Sequence, residues 1–161
     1  MDTLDVPPLS DRAERCRASV ELTVSLPAEM ATPSVARQHL GRWLDAHDWP
    51  LGQHDDLILA VSEAVSNSVE HGYGVDHTTA GHTGVVEVHG VMHTSPDGRR
   101  HTVITVVDHG AWLTPSQERS NRRHGLPLME ACAEALTVDG TGHGTTVVLR
   151  SRPVPAPLNP T

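Results

Sequence analysis

The segment Val20-Glu21-Leu22-Thr23-Val24-Ser25-Leu26 alternates apolar and polar side chains, the two-residue period of a strand with one buried face. Pro27 ends it, because proline brings no N–H to a ladder. From Ser34 to His47 the period lengthens to three and four, which predicts a helix with Val35, Leu40, Trp43 and Leu44 turned inward. Trp49-Pro50 breaks it, since a residue before proline is pushed out of the helical region. Leu51 to His71 is the strongest helical stretch. Leu57, Val61, Ala64, Val65 and Ser68 fall on one side of it, and Asp55 and Asp56 lie near its start, where the helix dipole favours acids. Gly72 follows the last turn, in the place of a left-handed C-cap.

A polar, glycine-containing stretch, residues 73–83, precedes two further strands, Val85 to Met92 and His101 to Asp108. Ser95-Pro96-Asp97-Gly98 between them is a turn signal. Thr114 to Arg123 is polar and aperiodic. Gly125 to Ala135 reads as a helix. Leu136 to Val138 and Thr145 to Arg150 read as short strands about the turn Asp139-Gly140-Thr141-Gly142. The order strand, two helices, two strands, helix, two strands, with hairpin connections, predicts an α+β two-layer sandwich. A single domain is expected over residues 19–152. Residues 1–18, which include Pro7-Pro8, are expected to form a flexible arm. The proline-rich residues 153–161 are expected to be a disordered tail, extended and solvated.

Composition narrows the function. The chain has three tryptophans, one tyrosine and no phenylalanine, so its core must be aliphatic and a base-stacking surface is hard to build. A net charge of −8 opposes nucleic-acid binding, which needs clustered cations. All twelve basic residues are arginine. With no lysine, neither a Walker-type phosphate loop nor a eukaryotic-type kinase site can exist. Cys16 and Cys132 are far apart and lack metal spacing, which suits reduced thiols. The twelve histidines show no zinc-ligand spacing with either cysteine. No stretch approaches the roughly 18 apolar residues of a membrane span. The expected location is the cytoplasm, with no membrane contact.

Four local patterns carry candidate chemistry. Glu63, Asn67 and His71 are four residues apart and share one side of the long helix, away from the apolar stripe. An amide oxygen can ligate a hard cation, and a carboxylate one turn away can take a proton. Taken alone, the trio reads first as a solvated helix face. Val103-Ile104-Thr105-Val106-Val107-Asp108-His109-Gly110 delivers an acid to the end of a strand. An ionised Asp can accept from an amino group, and a nearby glycine lets a flat ring approach; Asp-His-Gly is also good turn chemistry. Arg122-Arg123-His124-Gly125-Leu126 leads basic residues into a helix start, whose free amides favour an anion. Gly144-Thr145-Thr146 opens a strand with two hydroxyls and says little else.

In this order and spacing the four patterns resemble the GHKL-type, histidine-kinase-like ATPases, and within them the serine/threonine kinases that serve as bacterial anti-sigma factors. Glu63-Ala64-Val65-Ser66-Asn67-Ser68-Val69-Glu70-His71-Gly72-Tyr73 looks like the N box of that family. Asp108-His109-Gly110-Ala111-Trp112 is similar to its first glycine box, Gly125-Leu126-Pro127-Leu128-Met129 to its second, and Gly144-Thr145-Thr146 to its closing strand. The resemblance runs from about Val20 to Arg150. It implies ATP and Mg2+ as cofactors, with Asn67 holding the metal and Glu63 as catalytic base. It implies Asp108 on the adenine amino group, Gly110 leaving room for the ring, and Thr145 supporting Asp108. His71, Arg123, His124, Gly125 and Leu126 complete the implied nucleotide-contacting set, and Trp112 to His124 would form a lid. It also implies a homodimer, a sigma factor as one partner and a STAS-domain antagonist as the other. One departure stands out: Arg123 replaces the first glycine of the usual Gly-x-Gly before the second box. A nucleotide-dependent binding module with little catalysis is therefore the competing expectation, and a histidine-based metal regulator a more distant one.

Overall fold

The computed structural model describes residues 20–75, 84–111 and 125–157. Five strands form one open sheet: β1 (Glu21–Pro27), β2 (Val85–Thr94), β3 (Arg100–Asp108), β4 (Ala135–Thr141) and β5 (Gly144–Arg150). Their order is β1-β2-β3-β5-β4, and every described pairing is antiparallel. The helices are α1 (Thr32–Asp45), α2 (Leu51–Asn67) and α3 (residues 125–132), and α2 runs directly into a π turn at Ser68–Gly72.

Period-two patterning puts one face of the sheet inside. Leu26, Val86, Val88, Ile104, Val106, Val147 and Leu149 are buried on it and share one cluster with Leu40, Trp43 and Leu44 of α1. Leu57, Val61, Ala64 and Val65 of α2 and Met129 of α3 complete that cluster. The opposite face carries Glu87, His89, Val103, Thr105, Val107, Thr146 and Val148, all half-buried. The expected α+β two-layer sandwich is thus the observed fold. Gly90 is the place where α1 comes nearest the sheet: a Cβ there would lie 2.9 Å from the Trp43 ring. The indole fills the space a side chain would take, which lets a helix bearing one large aromatic lie flat on the strands.

Several local expectations are corrected. Gly72 is not a left-handed cap; the helix widens into the π turn, and the positive-φ glycine is Gly74. α3 stops at residue 132, and β4 begins at Ala135. β4 runs through Asp139-Gly140-Thr141, because Asp139 and Gly140 pair with Thr146 and Thr145; the reversal falls at Gly142-His143. The tail after Ser151 is extended but not solvated as far as it is described. Val154 is 2 % exposed, and its backbone exchanges two hydrogen bonds with Arg100, of 2.7 and 2.8 Å. Proline cannot donate, yet the valine between two prolines can, and its burial adds an apolar contribution. Residues 158–161 and the arm at 1–18 lie outside the described residues.

Arg100 holds this corner together. Its guanidinium donates to the carbonyl oxygens of His47 (2.6 Å) and Pro155 (3.3 Å) and lies over the Trp49 ring at 5.2 Å. Burial lowers its pKa, and Asp48 opposes that shift.

On the outer face His93 and His101 are cross-strand neighbours with stacked rings, centroids 5.0 Å apart. Lost hydration pushes the His101 pKa below the usual imidazole value. Arg150 and then His93 push the same way, and Glu134 opposes them. A depressed native pKa means that the unfolded chain binds the proton first as pH falls. The stability tied to neutral His101 is therefore present above about pH 6.5 and lost as pH drops through the lowered value. His101→Asn is expected to flatten the fall in urea midpoint between pH 7 and pH 5, relative to wild type. An unchanged slope would show that His101 does not carry it.

Candidate functional site

The site lies where the end of α2 meets the ends of β3 and β5. α2 delivers Glu63 and Asn67 one turn apart. Both are half-buried and flank the apolar stripe formed by Leu57, Ala60, Val61 and Ala64, rather than standing away from it. The reason is α3, whose first described residue packs onto them. A Cβ on Gly125 would stand 2.7 Å from Glu63 Oε1 and 3.1 Å from Asn67 Nδ2. Only glycine fits there without moving the pair. Leu126, beside it, is half-buried against the core. Arg123, His124 and the expected lid from Trp112 to His124 lie outside the described residues.

Directly after Asn67 the helix relaxes into the π turn, closed by the Tyr73 N–H donating to Ser68 O at 3.1 Å. Such wide turns concentrate at functional sites, because they re-aim side chains within an otherwise regular helix. Here the turn packs against β3 and β5 and presses its last residue onto Asp108. A Cβ on Gly72 would stand 3.0–3.1 Å from the Asp108 carboxylate atoms, and one on Gly110 would collide with the Gly72 carbonyl. His71, in the same turn, is half-buried with Nε2 4.0 Å from Glu70 Oε2, the outer limit of an ion pair.

At the strand ends Asp108 and Thr145 are register partners across β3 and β5. Asp108 is 2 % exposed, and its Oδ1 accepts from the Gly110 N–H at 3.1 Å. Beside it the Thr145 hydroxyl is buried with no hydrogen-bond partner among the described residues. A lone buried hydroxyl costs free energy unless something occupies it. A buried carboxylate beside an orphaned hydroxyl fits a ligand edge that offers one donor and one acceptor. Gly144, at φ +148°, closes the far side; a Cβ there would strike the Asp108 carbonyl.

The structure therefore brings Glu63, Asn67 and Gly125 together at one end, and Asp108, Gly110 and Thr145 at the other. The π turn links the two ends. Three residues of this arrangement are invisible to pattern reading. Gly72 carries a glycine signal, but the signal reads as a cap. Gly144 reads as the opening of a strand. Tyr73 reads only as the end of a box, yet its hydroxyl donates to Val85 O (2.5 Å) and accepts from the His109 N–H (2.9 Å). Among the described residues, no group of three or more His, Cys, Asp or Glu gathers as a metal cluster, and no helix is long and apolar enough to cross a membrane.

Comparison with solved structures shows similarity to the RsbU and RsbW domains of Rv1364c from Mycobacterium tuberculosis, with 26 % identity and a TM-score of 0.61. The match covers 84 % of this chain but only 33 % of that one, so the chain spans about a third of the length of this relative. Weaker likenesses are to the histidine kinase domain of the blue-light activated histidine kinase EL346 from Erythrobacter litoralis and to the SiaB–SiaC complex from Pseudomonas aeruginosa. The first has 17 % identity and a TM-score of 0.45, covering 83 % of this chain and 68 % of that one. The second has 16 % identity and a TM-score of 0.46, covering 95 % and 100 %. Residues 26–151 match a family model, and with it the ordered site just described acquires a name: the chain belongs to the histidine kinase-like ATPase domain family.

Proposed function

We propose that this ATPase-family domain is an ATP- and Mg2+-dependent serine/threonine protein kinase that acts as an anti-sigma factor and phosphorylates a STAS-type antagonist. The observation that carries the reading is the close seat of Gly125 on Glu63 and Asn67, joined by one wide turn to the Asp108–Thr145 pair. Asp108 accepts from the adenine amino group, and Thr145 gives its free hydroxyl to the same edge. Gly110 keeps the approach open for the ring. The Gly125 and Leu126 amides, at the first described turn of α3, meet the phosphates, a role for which helix N-termini are suited. Asn67 lies beside Glu63 and Gly125, with Nδ2 its atom nearest Gly125, and its amide oxygen is the donor a hard cation would take as protein ligand there. When bound, magnesium supplies charge neutralisation at the phosphates. With no lysine in the chain, that neutralisation falls otherwise to arginine and backbone amides. Glu63 takes the proton from the attacking hydroxyl at its carboxylate.

The likeness to a structure that includes an RsbW domain supports a place in a partner-switching system. A phosphate added to the antagonist brings about two negative charges to the contact surface and separates it from a chain of net charge −8. Purified protein, labelled ATP and the STAS-domain proteins of the same genome provide the test. Transfer to a serine or threonine of one antagonist is the expected result. Binding of an antagonist without transfer would overturn the kinase assignment and favour the second reading, a nucleotide-dependent binding module, for which Arg123 in place of a glycine is the motivating feature.

A further inference from the structure

We propose that Tyr73 is a positioning residue that sets base selectivity at the nucleotide site, acting through the Asp108–Gly110 turn. The inference rests on the reading of Asp108 as the acceptor for an amino-bearing base. Tyr73 is the first residue after the π turn, and its half-buried ring packs against the core. Its hydroxyl joins three elements. The ring comes from the end of α2, the hydroxyl proton goes to Val85 O at the start of β2 (2.5 Å), and the oxygen receives the His109 N–H just past β3 (2.9 Å).

The consequence runs through two consecutive peptides. Tyr73 fixes the His109 N–H from outside the turn. One residue on, the Gly110 N–H donates to Asp108 Oδ1 at 3.1 Å, so the orientation of that peptide fixes which way the carboxylate plane faces. Gly72 supports the carboxylate from behind, and it precedes Tyr73 in the chain. One side chain thus orients the acceptor without touching a ligand. Its removal leaves a polar group at an exposed residue that water can satisfy: His109 is exposed, so its amide is not stranded in the core. A loss of orientation with little loss of fold is the expected signature.

The test uses the full chain and Tyr73→Phe, which keeps the ring and deletes the hydroxyl. The probes are ATP and inosine 5′-triphosphate, which lacks the 6-amino group, titrated calorimetrically in the presence of magnesium. Wild type is expected to prefer ATP. In the variant that preference should fall about three- to tenfold, the worth of one ordinary hydrogen bond. The loss should be equal for ATP and ADP, because it arises at the base and not at the phosphates. The thermal midpoint should stay close to wild type. Amide exchange at His109 should be slow in wild type and fast in the variant, with core amides unchanged. An ATP preference that survives intact in Tyr73→Phe, or a His109 amide that exchanges freely in wild type, overturns the role of Tyr73 alone. A wild type that does not prefer ATP overturns the reading of Asp108 and the role of Tyr73 with it. The His109 exchange rate in wild type decides the tether even where the variant proves unstable.

Discussion

Glu63→Gln is expected to lower phosphoryl transfer by roughly 10²- to 10⁴-fold, the usual contribution of a positioned general base, while ATP affinity changes by less than about threefold. The substitution keeps the shape of the side chain, so the close contact with Gly125 persists and α3 stays seated. It removes the one feature a base requires, an anionic oxygen. Asn67, the proposed metal ligand, is untouched, so nucleotide should still bind. Single-turnover transfer and calorimetric titration, run on the same preparation, read the two quantities separately. If transfer survives within tenfold, Glu63 is not the base. Loss of ATP binding in parallel with transfer would assign Glu63 to nucleotide binding instead.

The second large effect belongs to the other end of the site. Asp108→Asn is expected to weaken ATP binding by roughly 10- to 150-fold, the equivalent of about 1.5–3 kcal/mol for a hydrogen bond to a charged group. An asparagine keeps the volume, and its oxygen can still accept from the Gly110 N–H, so the turn should hold. On the proposed reading its amide nitrogen would face the adenine amino group, donor against donor, where the carboxylate offers an acceptor. Because Asp108 is only 2 % exposed, water cannot screen the mismatch. Calorimetry with ATP and ADP should show the same loss for both. An affinity within threefold of wild type would remove Asp108 from the base-reading role. A collapse of the thermal midpoint would point to the carboxylate as a fold determinant, with Gly72 packed against it.

These two substitutions probe groups at opposite ends of one π turn. The distance between function and packing is small throughout that turn. Gly72 and Gly110 press backbone against backbone, and Gly125 presses against the N-box pair. Added volume at Gly110 would force the Gly72 and Gly110 backbones apart, whereas at Gly125 it would displace the Glu63 side chain.

The architecture was largely legible along the chain. Alternation in Val20 to Leu26 specified which side chains of that strand face the helices, and its burial follows that alternation. The central strands and Thr145 to Arg150 were legible as strands, while which of their faces is buried came with the fold. The stripe Leu57, Val61, Ala64, Val65 and Ser68 is buried throughout, because a spacing of three and four leaves a helix one way to hide it. Glu63, Asn67, Asp108, Gly110, Gly125 and Thr145 were identifiable as a candidate set through the family that their motifs, taken in order, resemble; residue type and spacing alone left each of them open.

What the order of residues did not contain was the way distant segments meet. Nothing local told that the long helix would open into a π turn after Asn67, that Gly72 would back onto Asp108, or that the Thr145 hydroxyl would be left buried without a partner among the described residues. The reach of Tyr73 to His109 spans 36 residues, and the grip of Arg100 on Pro155 spans 55. Local patterns register the free energy of each element with its own neighbours. The site is decided by close packing between elements, where a single absent Cβ determines whether two backbones can touch, and that contact exists only in the folded chain.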